Sequence, residues 1–218
     1  MSLSVQDILT RVQRQFGDEA NSQILQADVI RWINDAMREI AHKNKLLQVK
    51  AETDTVIQVG AYSLPSDISK LYSVQYNGQK LQVLSLAQVD ELIGVKDQTI
   101  QQGYPVGTPI SCWIWANQIN LYPAPDSAIV NGLIAYYTRT PTPVAAPADV
   151  PELPDEYHGR ILEYCLAQAY ELDENYEVAN AKMAAFKEGV AEQKDIDQEQ
   201  QESYPFITDL EDELYQYG

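Results

Sequence analysis

Residues 71–84, LYSVQYNGQKLQVL, contain the hairpin signal that decides the fold of the central region. Asn77-Gly78 is a preferred pair for a two-residue type I′ turn, in which both central residues have positive φ. Apolar pairs then share one face and polar pairs the other, so the register is well specified. The predicted pairs are Tyr76–Gln79, Gln75–Lys80, Val74–Leu81, Ser73–Gln82 and Tyr72–Val83.

Short strands are predicted on both sides of this hairpin, from about residue 47 to residue 140. Residues 94–109 contain repeated Gly and Pro and are interpreted as a contact or lining loop. The other predicted elements are a short helix near 86–93, a strand over 129–138, and a second hairpin. That hairpin joins 112–116 to 119–122 through Asn117-Gln118 and places Trp113 opposite Tyr122 and Ile114 opposite Leu121.

Helical periodicity predicts four helices around this β region. Ser4 and Asp155 are the expected N-caps of the first and third helices. Residues 139–154 hold five prolines and form an extended return between the β region and the third helix. The predicted helices span 4–16, 24–43, about 155–172 and about 174–199, and Gly17 and Asp18 end the first. The apolar stripe of the third helix ends at Leu172. The stripe of the fourth fades after Val190 and consists of Tyr176, Ala179, Met183, Phe186 and Val190.

The fold class that follows is α+β: a four-helix bundle of two N-terminal and two C-terminal helices, with an inserted antiparallel β-rich region. The predicted domains are a helical bundle over 1–46 and 151–199, and an insertion with its proline-rich return over 47–150. An extended acidic C-terminal arm covers 200–218.

Charge is concentrated at the end of the chain. The 218 residues include 32 acids and 15 bases, for a formal net charge of −17. Broad binding of nucleic-acid phosphates needs clustered Lys and Arg, which this composition argues against. Residues 151–218 hold 18 acids and 4 bases, and no base follows Lys194.

Apolar residues among the acids of the arm predict a segment that becomes ordered when it binds a partner. They are Tyr204, Pro205, Phe206, Ile207, Leu210, Leu214 and Tyr215.

Common motifs of catalysis and cofactor binding are missing from the sequence: it contains no GxGxxG, P-loop, HExxH or GxSxG. Cys112 and Cys165 are expected to be buried and reduced. His42 is interpreted as a surface residue at a helix end, and His158 lacks a third metal ligand beside Asp155. We therefore expect no enzyme activity, cofactor or metal.

A set of five aromatic residues either fills a small β core, which we favour, or forms a binding platform. The five are Trp113, Trp115, Tyr122, Tyr136 and Tyr137.

Several stretches, taken in order over about residues 1–190, resemble the head–tail adaptor (connector, or head-completion) proteins of tailed bacteriophages. They are IRWINDA (30–36), YSLP (62–65), INLYPAP (119–125), YYTRTP (136–141) and PELPDEYH (151–158). The resemblance implies a structural protein that forms a ring, usually of twelve copies, in the virion neck. Such a ring continues the DNA channel during genome packaging and ejection.

The implied partners are further copies of the chain, the portal protein, and a tail or nozzle protein. By the resemblance, the C-terminal arm docks on the portal, and DNA passes without specific binding. The protein would be made in the host cytoplasm, and neither a secretory signal nor a membrane span is expected. Two alternatives remain open: an acidic DNA mimic that binds a basic DNA-binding partner, and a carboxylate-based glycan hydrolase.

Overall fold

Five helices and ten short strands form the described part of the chain, which comprises residues 2–18, 23–93 and 105–202 of a computed structural model. The predicted α+β class is confirmed. The helices are α1 (Val5–Phe16), α2 (Gln26–Asn44), α3 (Leu86–Ile93), α4 (Asp155–Leu172) and α5 (Tyr176–Glu202). The strands are β1 (Gln48–Thr55), β2 (Ala61–Ser63), β3 (Ile68–Tyr76), β4 (Gln79–Lys80), β5 (Gln82–Val83), β6 (Val106–Gly107), β7 (Ser111–Trp115), β8 (Gln118–Tyr122), β9 (Ala124–Pro125) and β10 (Ile129–Arg139).

The described residues divide into two units. A helical unit takes its residues from Met1–Asn44 and Pro141–Gly218 and contains α1, α2, α4 and α5. A β unit covers the described residues of Lys45–Thr140 and contains α3 and all the strands. The proline-rich segment therefore lies with the helices. The predicted domain limits stay a prediction.

Local signals set the ends of α1 as predicted. Ser4 and Asp7 form a capping box, in which the Ser4 hydroxyl accepts from the Asp7 backbone N–H and Asp7 accepts from that of Ser4. Hydrogen bonds from Ser4 lower the pKa of Asp7. Gly17 follows the helix in the left-handed region, with φ 91°. The stripe predicted for the second helix runs from Leu25 to Ile40. It is buried from Val29 to Ile40, but Leu25 precedes α2 and is 56% exposed.

Two expectations about α4 and α5 are wrong. Asp155 is the first helical residue, and the extended backbone of the N-cap position belongs to Pro154. The Asp155 carboxylate thus lies in the first turn, where it complements the helix dipole. Leu172 and Tyr176, assigned to apolar stripes, are each 59% exposed because they flank the turn between the two helices. The centre of the α5 stripe is buried at Ala179, Phe186 and Val190.

Polar side chains of the helical unit form hydrogen bonds between residues that are far apart in the sequence. The Asn34 amide donates to the Val144 carbonyl and accepts from the Val144 N–H, both at 2.9 Å. Asn44 at the end of α2 donates to the Tyr157 hydroxyl at 2.7 Å and to the Val190 carbonyl at 3.0 Å. These bonds connect α2 to the proline-rich segment, to α4 and to α5.

Two four-stranded sheets share the core of the β unit. Their strand orders are β1-β10-β3-β4 and β2-β8-β7-β5, and a two-stranded sheet pairs β6 with β9. Most neighbouring strands are antiparallel, but β5–β7 and β6–β9 are parallel. One buried cluster takes Val74 and Leu133 from the first sheet and Cys112 and Leu121 from the second. The period-2 alternation of these strands therefore leaves a solvent-facing side on the first sheet.

The hairpin over 71–84 has the predicted turn but is shorter than expected. The Tyr76–Gln79 and Gln75–Lys80 pairs are confirmed, and the Leu81 N–H donates to the Val74 carbonyl at 2.8 Å. The two outer pairs are wrong, because the chain crosses to the second sheet after the buried Leu81. Ser73 pairs with Tyr136, whereas Gln82 and Val83 pair with Ser111 and Cys112.

The second hairpin turns one residue earlier than predicted. Its turn is Ala116-Asn117, with φ 49° and 59°, so Trp113 lies opposite Asn120 and Ile114 opposite Ile119. The expected pairs with Tyr122 and Leu121 are therefore wrong. The predicted register would place Cys112 opposite Pro123, which has no N–H for the ladder. In the observed register Ser111 pairs with Tyr122, and the ladder ends before the proline.

Gly132→Ala is expected to lower the free energy of unfolding by about 1–3 kcal/mol through overpacking. A Cβ at Gly132 would lie 2.8 Å from Thr55 Oγ1 and 2.8 Å from Ile129 Cβ. The Thr55 hydroxyl is held in place because it accepts from the Ile129 N–H. At Gly159 on α4, no atom lies within 4 Å of an added Cβ. Gly159→Ala should therefore stabilise by up to about 1 kcal/mol. Calorimetry of both variants would contradict the assignment if their melting temperatures moved together.

Candidate functional site: assembly surfaces

The seven predicted docking residues lie outside the described residues, because they follow Glu202 at the end of α5. They are Tyr204, Pro205, Phe206, Ile207, Leu210, Leu214 and Tyr215. Most of the predicted loop, residues 94–104, also lies outside the described ranges. Its last part contains β6, which pairs with β9.

Potentially reactive side chains are buried in structural roles. Cys112 and Cys165 are free and buried, as predicted. Burial raises the pKa of Cys112 to about 12 and also raises the pKa of Cys165, so neither forms a thiolate readily near neutral pH. His158 is buried, and its Nδ1 accepts from the Leu3 N–H at 2.8 Å. Within residues 2–18, 23–93 and 105–202, no group of three or more His, Cys, Asp or Glu side chains is placed to hold a metal ion.

The predicted aromatic set divides between core and surface. Trp113 and Tyr137 are buried, so the core interpretation holds for them. Trp115 is 57% exposed and Tyr136 is 37% exposed. These two residues lie on different sheets, on β7 and β10, and the structure therefore does not bring the five together as one platform.

The solvent-facing side of the first sheet carries a group that we call the Lys–Tyr face. Cross-strand register aligns Lys50 with Tyr136, and Ile134 with Gln75, which in turn pairs with Lys80. Directly paired residues share one side of a sheet. A bulge at Tyr72, between Ser73 opposite Tyr136 and Leu71 opposite Tyr137, interrupts the alternation of β3 and brings Lys70, opposite Thr138, to this side. Lys70 Nζ lies 5.8 Å from the centre of the exposed Tyr72 ring. The Lys–Tyr face consists of Lys50, Glu52, Lys70, Tyr72, Lys80, Ile134 and Tyr136.

The Lys–Tyr face is positive although the chain is strongly acidic. Lys50 Nζ lies 2.6 Å from Glu52 Oε1, and this hydrogen-bonded pair raises the pKa of Lys50. Lys70 and Lys80 are exposed and form no ion pair with any described carboxylate. Two lysines beside partly exposed Tyr and Ile side chains suit a partner that offers carboxylates and some apolar surface.

The end of α5 has the opposite charge. We call residues 191–202 the α5 extension, because Val190 is the last buried residue before it and no described side chain from 191 to 196 is buried. Its sequence holds five acids and one base. Glu192, Asp195 and Ile196 lie at i, i+3 and i+4 and share one helix face. All three are exposed, and Glu192 reaches Arg160 only at 3.9 Å.

A third surface is apolar and lies at one edge of the β unit. The turn after β1 is placed beside β9 by the hydrogen bond from the Gln58 N–H to the Pro125 carbonyl at 2.8 Å. β6 pairs with β9 in the same place. Contiguous exposed apolar groups are typical of protein-interaction surfaces. The exposed side chains here are Val56, Ile57, Val59 and Val106.

Sequence reasoning missed the Lys–Tyr face because its members come from four strands. The available signal was alternation in β1, since Lys50 and Glu52 are two residues apart and share a side. In β3 the bulge at Tyr72 interrupts the alternation, because Val74, two residues further on, is buried in the core. Combining residues of β1 and β3 into one surface required the strand order β1-β10-β3-β4.

A family model described as "SU10 adaptor protein" matches residues 3–208, which includes parts of both units. None of the curated proteins matches the chain. Among the described helices, none is long and apolar enough to cross a membrane.

Proposed function

The chain belongs to the SU10 adaptor protein family of bacteriophage head–tail adaptors, and on that basis we propose that it assembles as a ring between portal and tail. Its role is structural, at the virion neck, where it contacts other head and tail components. The proposed ring has twelve copies and continues the DNA channel for genome packaging and ejection. The family match over residues 3–208 carries this proposal and favours it over a DNA mimic or a hydrolase.

Closed rings use two different patches on each subunit, so that each copy contacts the next head to tail. The opposite charges of the Lys–Tyr face and the α5 extension support such an arrangement. The net charge of −17 also suits a channel, because an acidic wall repels phosphates and lets a duplex slide. We further propose that α1, α2, α4 and α5 form one four-helix bundle. The contacts of α4 with α1, α2 and α5 support this grouping.

Electron microscopy tests the ring directly. The purified chain, mixed with the portal protein of the same phage, is expected to add an annular density to the portal. A chain that stays monomeric and leaves the portal particle unchanged would contradict the proposal.

We assign portal docking to the C-terminal arm, whose residues Tyr204 to Tyr215 place apolar side chains among acids. Deleting residues 203–218 is expected to abolish portal binding in a pull-down, while thermal unfolding stays unchanged. A full-length variant with Asp209→Asn, Glu211→Gln, Asp212→Asn and Glu213→Gln is the matched control. It should retain binding if the apolar residues are the anchors. Undiminished binding after the deletion would overturn the assignment.

A further inference from the structure

The α5 extension is a helix whose described side chains lack a buried face. Helices in water gain most of their stability from packing an apolar stripe, which here ends at Val190. A helix that is polar on most sides usually needs a partner to persist. The exposed face formed by Glu192, Asp195 and Ile196 indicates the chemistry of that partner: positive charge beside apolar surface.

The Lys–Tyr face provides that chemistry in a solvent-facing sheet. Lys70 and Lys80 have no described carboxylate partner, and Tyr72 and Tyr136 are 39% and 37% exposed. The dimensions also agree. Lys70 and the Gln75 that faces Lys80 are five residues apart on β3, or about 16 Å at the usual strand rise. Glu192 and Ile196, at the two ends of the acidic face, lie about 6 Å apart at the usual helical rise, which fits between the two lysines.

We propose that the α5 extension of one copy docks on the Lys–Tyr face of the next copy. This inference rests on the proposed ring and adds the contact that joins its subunits. Glu192 and Asp195 face the lysines, while Ile196 lies against the Tyr and Ile side chains. The contact joins two different patches, so it is head to tail, which is the kind of contact that generates a ring when its rotation closes.

Mixed cross-linking tests the contact between copies. Lys80→Cys and Ile196→Cys are introduced into separate full-length chains, which are mixed and treated with a short bismaleimide. Only a contact between two chains can then join the two sites. The native cysteines are buried and have raised pKa values, so the introduced thiols react selectively. Tyr176→Cys, at the opposite end of α5 and 59% exposed, replaces Ile196→Cys in the matched control.

The mixed Lys80→Cys and Ile196→Cys sample, with and without portal protein, should give several-fold more heterodimer than the control. Equal yields would overturn the docking contact. Cross-linking only when both substitutions lie on one chain at high dilution would also overturn it, because the extension would then pack on its own chain.

Charge exchange provides the second measurement. Lys80→Glu or Asp195→Lys should each weaken self-association by at least about tenfold, because each brings like charges together. The double variant should restore it, and the effect should shrink as salt rises. Rings that survive both single variants refute the contact but leave the ring intact. A chain that forms no ring, alone or with portal protein, refutes the proposed function itself.

Discussion

His158→Ala is expected to lower the free energy of unfolding of the helical unit by about 3–4 kcal/mol. The Leu3 N–H donates to Nδ1 at 2.8 Å, so the proton of the neutral ring is on Nε2, which lies 3.0 Å from the Leu153 carbonyl. The ring thus joins the start of the chain to the residues before α4. Removal of the ring leaves a cavity. It also leaves the buried Leu3 N–H without its acceptor and the Leu153 carbonyl without its donor.

His158→Phe separates packing from hydrogen bonding. It keeps most of the ring volume but leaves the Leu3 N–H without its acceptor, which should cost about 1–3 kcal/mol. His42 is exposed at the end of α2, and His42→Ala should change stability by no more than about 0.5 kcal/mol. Calorimetry should rank the losses as His158→Ala, then His158→Phe, then His42→Ala. A His158→Ala melting temperature equal to that of His42→Ala would contradict the structural role.

The sequence was sufficient to predict structure where a few neighbouring residues determine the backbone conformation. Asn77 and Gly78 both have positive φ, which is the type I′ requirement that placed the first turn. Ser4 and Gly17 mark the ends of α1 for similarly local reasons. The sequence pattern did not predict the crossing after Leu81, because a parallel partner at 111–112 lies about thirty residues further along the chain.

Long-range polar contacts were not predictable from the sequence alone. Asn34 and Val144 are 110 positions apart, and Leu3 and His158 are 155 positions apart. Nothing local distinguishes Asn34 or His158 from an ordinary surface residue on a helix. Their roles depend on how the N-terminal and C-terminal segments of the helical unit pack together.

The candidate surfaces show the same limit. The acidic character of the α5 extension is visible in its composition, and a stripe that fades after Val190 predicted its exposed position. The Lys–Tyr face depends on the sheet order, in which β10 lies between β1 and β3, although both are far from β10 in the sequence. The distribution of charge along the sequence therefore identifies the α5 extension, but it does not identify the Lys–Tyr face.

Phe186→Ala is expected to cost about 3–5 kcal/mol. The Phe186 ring is fully buried on α5 and meets Tyr164 of α4 edge-on, with ring centres 5.1 Å apart. Lys43 Nζ of α2 lies 5.9 Å from the centre of the same ring. Truncation therefore removes contacts to two other helices at once. At about 2–4 °C per kcal/mol for a chain of this size, the melting temperature should fall by roughly 10 °C.

Tyr176→Ala is the control on the same helix. Tyr176 is 59% exposed beside the turn between α4 and α5, so its removal should change the melting temperature by only about 1–2 °C. Helical spacing alone assigns Tyr176 and Phe186 to one apolar stripe, whereas the structure buries only Phe186. Calorimetry of the two variants distinguishes these two descriptions. Similar losses at both positions would mean that α5 packs along its first turn as tightly as at its centre, contrary to the burial found here.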